Sequence, residues 1–317
     1  MQRRDKITMP ISEKRNANLM NLIKRMHGVV ENADIEKHRQ SQDHLGALLG
    51  NTKDILIEEM EIMPLQCGRP DLHKPIHCEW VKVDRAHMKK YVILYCHGGG
   101  YSTGSSLYAR TLTGKLASST SMDVLSFDYR LAPEHPYPAA TEDAMMIWNY
   151  LMLLGYGARD IIVAGDSAGG NLALSLVLKL KEQGRILPRG LVLMSPWTDL
   201  TSSGKSHTTR AQIDPVLNAV YLQEMIDNYA KGEDLTNPGI SPLFGNFENF
   251  PPVYIQVGNN EVLLDDSVML YKKLLKANVS VKMDVFKGMW HVFQMSPFKT
   301  AYEAMDKNAE FIYDICR

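Results

Sequence analysis

The feature that most constrains this chain is an alternation. Short runs rich in β-branched and aromatic residues recur from residue 91 onward, and most are separated by stretches of helical character. The runs are YVILYCH (91–97), DVLSFDY (123–129), IIVAG (161–165), LVLMS (191–195), PVYIQVG (252–258) and VKMDVF (281–286). Helical segments between them include 140–154, 169–183 and 266–277. Parallel neighbours need a long crossover, usually a helix. The repeat therefore predicts a largely parallel sheet covered on both faces. Such a sheet binds ligands outside the carboxyl ends of its strands. Two earlier segments, ILIEEMEIM (55–63) and HCEWVKV (77–83), alternate apolar and polar residues as half-buried strands do.

Two stretches stand outside the alternation. In the first 50 residues, Leu19, Leu22, Ile23 and Met26 mark one face of a helix over 12–27, while 35–50 is polar and carries little pattern. The second, roughly 198–245, separates two core strands and holds a helical piece, AVYLQEMIDNYA (219–230). Together they are expected to cap the strand ends.

Composition narrows the partners. With 317 residues, 45% of them hydrophobic, the chain can bury one large core. Its 35 basic and 36 acidic side chains leave a formal charge of −1, which gives no electrostatic case for nucleic acid or an anionic membrane. The N-terminus MQRRDKITMP lacks the apolar core of a secretory signal. No run reaches the roughly 20 apolar residues of a membrane helix. A cytoplasmic protein without membrane insertion is the expectation. Cys67, Cys78, Cys96 and Cys316 form no CxxC pair and no metal-ligand spacing, so free thiols and no metal are expected.

Two motifs carry chemistry. GDSAGG (165–170) matches G-x-S-x-G, directly after the strand IIVAG and directly before the apolar helix NLALSLVLKL. A serine on so sharp a turn exposes its hydroxyl, and the helix N-terminus beside it favours negative charge. Ser167 is thus the candidate nucleophile; Asp166 is read as a turn-forming residue. His97-Gly98-Gly99-Gly100-Tyr101 follows the strand YVILYC. Consecutive glycines let backbone N–H groups face a cavity, where they can hold an oxyanion together with the N–H of Ala168. A phosphate-binding glycine loop is the alternative, but no G-K-S/T or complete G-x-G-x-x-G is present. His97 is read as an anchor of the loop.

These motifs together resemble the hormone-sensitive-lipase-like family of carboxylesterases. The likeness extends to DYRLAPEHPYPAA (128–140), SPWTDL (195–200), SPLFGNFENFPP (241–252) and GMWHVF (288–293), covering roughly residues 90–315 in the family's order. It implies an α/β-hydrolase fold: a central, mostly parallel eight-stranded sheet flanked by helices, with a helical cap. Residues 1–50 would begin the cap, and 51–317 would form the catalytic domain, with 198–245 adding to the cap. The family's acid follows the strand that begins Pro-Pro. Here PPVYIQVG leads into NNEVLLDD (259–266), placing Glu261 where the family usually has aspartate, with Asp265 and then Asp266 as rivals. The family's base follows the last core strand, where His291 stands. Ser167, Glu261, His291 keep the order nucleophile, acid, base. In the family the second and third loop glycines, Gly99 and Gly100, hold the oxyanion. The resemblance implies hydrolysis of short-to-medium acyl esters through an acyl-enzyme, with a small-molecule ester as substrate and no cofactor. Relatives often dimerise, so a homodimer is also implied. Arg130 and Glu134 are candidates to pair behind the nucleophile, and Trp197 and Asp199 are read as scaffold. A non-catalytic ligand receptor and an amidase remain the rival functions.

Overall fold

The structure, a computed structural model, describes residue 18 and residues 34–49, 54–64, 74–87 and 89–317. The helix expected over 12–27 and Cys67 lie outside the described residues. Eight strands form one sheet: β1 (Ile55–Ile62), β2 (Ile76–Val83), β3 (Val92–Cys96), β4 (Asp123–Phe127), β5 (Ile161–Asp166), β6 (Gly190–Met194), β7 (Val253–Gly258) and β8 (Val281–Phe286). Their spatial order is β1-β2-β4-β3-β5-β6-β7-β8. β2 runs antiparallel to both β1 and β4, and the other neighbours are parallel.

Strand composition follows position. The central strands β3, β5, β6 and β7 are buried along their whole length, which explains their unbroken apolar runs. Alternate residues still face opposite sides. Val92, Leu94, Ile161, Val163, Leu191 and Leu193 join one core cluster, while Ile93, Tyr95, Ile162, Ala164, Val192 and Met194 join the other. The first cluster is covered by helices Ala139–Leu153, Ala168–Glu182 and Leu264–Lys276. The second is covered by Ser106–Thr120 and Lys299–Cys316. The edge strand β1 keeps its polar alternation because one side meets solvent.

Within the polar stretch that carries little periodic pattern, Ile35–Leu49 form helix α1. Its support is tertiary. Gly46 lies so close to the Leu107 carbonyl, at the start of α2 (Ser106–Thr120), that an added Cβ would meet it at 2.3 Å. Arg39 donates to the carbonyls of Ser102 (2.9 Å) and Ala132 (3.0 Å) and pairs with Glu134 (2.8 Å). With α3 (Ala139–Leu153), α4 (Ala168–Glu182) and α5 (Ser206–Thr209) numbered in turn, the helix of the second odd stretch is α6 (Ala219–Tyr229). Asn218 caps it by accepting from Tyr221 N. Leu222, Met225, Ile226 and Tyr229 form its buried stripe, at the spacing of one helical face. Tyr229 stacks on Tyr101, with ring centroids 3.7 Å apart.

The sheet order reverses direction between β3 and β5. A crevice opens outside the strand ends at such a point. The glycine loop leaves β3 there, and Ser167 leaves β5 beside it.

Candidate active site

Ser167 is the single residue between β5 and α4, with φ 53° and ψ −121°. A positive φ is unfavourable for a residue with a side chain and persists only when its surroundings over-determine it. Here Ser167 N donates to Met194 O, and Ser167 O accepts from Gly170, Asn171 and Trp197 N, all within 3.2 Å. Gly169 permits the turn to press against β3: a Cβ there would lie 2.0 Å from the Cys96 carbonyl.

His291 lies in the turn after β8. Its Nε2 is 2.9 Å from Ser167 Oγ, and its Nδ1 is 2.9 Å from Glu261 Oε2. A buried carboxylate only accepts, so Nδ1 carries the proton and the Nε2 lone pair faces the hydroxyl. Glu261 is fully buried; His291 and Ser167 are nearly so. Burial works against an imidazolium, but the hydrogen bond and charge of Glu261, with Asp214 and Asp166 beyond, more than offset it. The His291 pKa stands above its ordinary 6.5.

The two rivals for the acid position sit elsewhere. Asp265 accepts from Ser206 N at 2.9 Å. Asp266 accepts from the backbone N–H groups of Thr198 and Asp199 and meets His207 Nε2, each at 2.9 Å. The structure brings Ser167, His291 and Glu261 together, and it leaves Asp265 and Asp266 supporting the 198–207 segment.

The glycine loop is held from below. Asp166 accepts from Gly98 N (2.9 Å) and from Tyr95 OH (2.7 Å), and burial pushes its carboxyl up to about 6. His97 stacks on Tyr129 at 4.0 Å, and its Nδ1 meets the Gly98 carbonyl at 2.7 Å. Burial lowers the His97 pKa to about 4, so the ring is neutral and Nδ1–H is the donor. Its contacts are those of an anchor. Gly99 and Gly100 have φ of 112° and 61°, a region that glycine adopts without strain. The N–H groups of Gly99, Gly100 and Ala168 have no acceptor among the described residues. Tyr101 OH then donates to Asn171 Oδ1 (2.8 Å), tying the loop to the first turn of α4.

One expected pair is replaced. Arg130 pairs with Asp143 (2.9 Å) and Glu142 (3.0 Å) of α3, not with Glu134, which meets Arg39. Asp143 is buried and needs a cation; Glu134 is half exposed and does not. Trp197 and Asp199 are buried scaffold: Trp197 N donates to Ser167 O, and Asp199 accepts from Thr201 N and Ser203 N.

Two residues escaped the sequence reading. Ser195, at the end of β6 with φ 49°, donates to Glu261 Oε1 (2.9 Å) and accepts from Val292 N (3.2 Å). It bridges Glu261 to the loop that carries His291. Its place at a strand's carboxyl end was the available signal. Asp214 is a buried carboxylate near His291 and Glu261, and nothing in its local sequence marks it.

A serine, an imidazole and a carboxylate in series, beside free N–H groups, constitute machinery for acyl transfer. Among the described residues, no cluster of His, Cys, Asp and Glu could hold a metal ion, and no helix is long and apolar enough to cross a membrane. A family model for the alpha/beta hydrolase fold matches residues 93–295. An esterase of Acinetobacter venetianus is 42% identical over 69% of this chain and 74% of its own. An acetyl-hydrolase of Streptomyces hygroscopicus is 39% identical over 68% of this chain and 73% of its own. A hormone-sensitive lipase from a metagenome library superposes with a TM-score of 0.85 at 34% identity, over 95% of this chain and 98% of that one. Fold, site and likeness define a carboxylic ester hydrolase of the α/β-hydrolase fold. Within that class, the chain belongs to the hormone-sensitive-lipase-like family of carboxylesterases.

Proposed function

We propose that this carboxylesterase hydrolyses short-to-medium acyl esters through an acyl-enzyme on Ser167. The observation that carries the reading is the unbroken relay from Ser167 Oγ through His291 to Glu261, 2.9 Å at each step. His291 Nε2 takes the hydroxyl proton as Ser167 Oγ attacks the ester carbonyl. The carbonyl π electrons move to oxygen, where the Gly99, Gly100 and Ala168 N–H groups receive the charge. Glu261 holds the imidazole in its reactive tautomer and stabilises the imidazolium. His291 then protonates the departing alkoxide, leaving the acyl group on Ser167. Water, deprotonated by the same Nε2, attacks the acyl carbon; the bond from that carbon to Ser167 Oγ then breaks, His291 returns the proton to Oγ, and the acid is released. Side chains and water carry every proton in this cycle, so it needs no cofactor.

The acyl range rests on the cap. We infer that α1 and the 198–245 segment form it, since both land on the glycine loop: Arg39 at Ser102, and Met225 against Gly100, where an added Cβ would meet Met225 Cγ at 2.6 Å. We infer that a side chain packed so near the loop limits the room for a long acyl chain. The Streptomyces relative's description as an acetyl-hydrolase agrees with a small acyl group.

Ser167→Ala is expected to abolish turnover of p-nitrophenyl acetate and butyrate with an unchanged far-UV circular dichroism spectrum. An organophosphate should label the wild-type chain at Ser167 and leave the variant unlabelled. Undiminished hydrolysis by Ser167→Ala would reject the assignment. A nitrophenyl ester series is expected to lose kcat/KM beyond medium-length acyl chains.

A further inference from the structure

Asp214 lies between β6 and β7, outside the strand–helix alternation, and is 3% exposed. Its Oδ1 accepts from Val216 N (2.8 Å) and Leu217 N (3.0 Å), the turn that leads into α6. Its Oδ2 accepts from Val262 N (2.8 Å), the residue after Glu261. One carboxylate thus joins the chain entering α6 to the loop that holds the acid. No lysine or arginine pairs with it among the described residues. It reaches the site through the Glu261 loop: Val262, whose N–H it holds, follows Glu261, and Glu261 Oε2 meets His291 Nδ1 at 2.9 Å, so its charge is coupled to that of the imidazole when the ring is protonated. A buried charge without a counter-ion is costly, and three backbone donors reduce the cost without removing it.

We propose that Asp214 is a positioning residue of the hydrolytic site, fixing the Glu261 loop against the chain entering α6 and supplying a second negative charge to the imidazolium of His291. The inference rests on the proposed function, because it acts through His291 as base. The other titratable groups whose charges act on Asp214 and His291 are Glu261, from the loop after β7, and Asp166, from the end of β5. Burial pushes the Asp214 carboxyl up to about 6, and His291 pulls it back. The sign follows. The base must be neutral, so the acid limb of kcat/KM is expected to have its midpoint above 6.5. Removing the charge of Asp214 makes the imidazolium harder to hold, so the limb moves to lower pH.

The test is the pH profile of p-nitrophenyl butyrate hydrolysis for the wild type and Asp214→Asn. The variant is expected to move the acid limb down by about half to one pH unit and to lower kcat about tenfold, with little change in KM. A purely structural residue would scale activity at every pH and leave the midpoint in place; that result overturns the proposal. Should Asp214→Asn not fold, Asp214→Ser keeps an acceptor for the turn and removes the charge, and the same downward shift is expected. A chain that folds with neither substitution makes Asp214 structural and overturns the proposal too. A wild type that neither hydrolyses esters nor takes an organophosphate would instead defeat the proposed function.

Discussion

Glutamate at position 261 is one methylene longer than the acid its family usually carries. The structure accommodates the length from both ends. Glu261 Oε2 faces His291, while Oε1 is held by Ser195 Oγ and by Gly258 N. A longer side chain has one more torsion to freeze, and these two donors freeze it. Glu261→Gln preserves size and removes the charge that selects the Nδ1–H tautomer. It is expected to lower kcat by up to about 10⁴-fold, the loss seen when such an acid becomes an amide. Asp265→Asn, which touches only the Ser206 turn, is expected to stay within about threefold of wild type, since it meets neither reacting group. Steady-state kinetics with p-nitrophenyl butyrate separates the two, and the opposite ranking would transfer the acid role.

The elements meet where α6 rests on the glycine loop. Gly99 and Gly100 share positive φ, yet a side chain would collide with different things. At Gly99 a Cβ meets the Thr103 carbonyl at 2.2 Å; at Gly100 it meets the Met225 side chain. Backbone cannot yield, whereas a methionine can. Gly100→Ala is expected to reduce kcat at least about tenfold, and adding Met225→Ala should restore part of the loss. The left-handed strain of alanine, about 1–2 kcal/mol, would remain. Gly99→Ala should lose about 10²-fold or more, the scale of one oxyanion donor, with no rescue from Met225→Ala. Rescue of both variants, or of neither, would separate the helix from the loop.

Across the whole molecule, α1 packs on α2 at Gly46 and is tied to the loops that follow β3 and β4 by Arg39. Arg39 donates to two carbonyls, Ser102 O and Ala132 O, and reaches Glu134 across the surface. The carbonyl bonds are partly buried and charge-assisted, so they outweigh the exposed pair. Arg39→Met is expected to lower the urea-unfolding free energy by about 2 kcal/mol, the worth of hydrogen bonds from a charged donor. Glu134→Gln should cost less than about 1 kcal/mol, as exposed ion pairs do. Equal losses would mean that the ion pair, not the carbonyl bonds, fastens the helix.

The strand–helix alternation was legible in sequence because burial on both faces of a sheet demands unbroken apolar runs, which is where β3 to β7 lie, while β1, β2 and β8 fall on runs that alternate apolar and polar residues. Ser167 and the loop glycines were legible for a local reason: a strand-to-helix turn and adjacent N–H groups need those residue types in immediate succession. His291 and Glu261 were read through family order, not through their neighbours. The helix over 35–49, the partner exchange among Arg39, Arg130, Glu134 and Asp143, and the places of Ser195 and Asp214 were decided only by the tertiary structure. Each depends on a donor and an acceptor from distant parts of the chain, and neither half alone marks which partner it will meet.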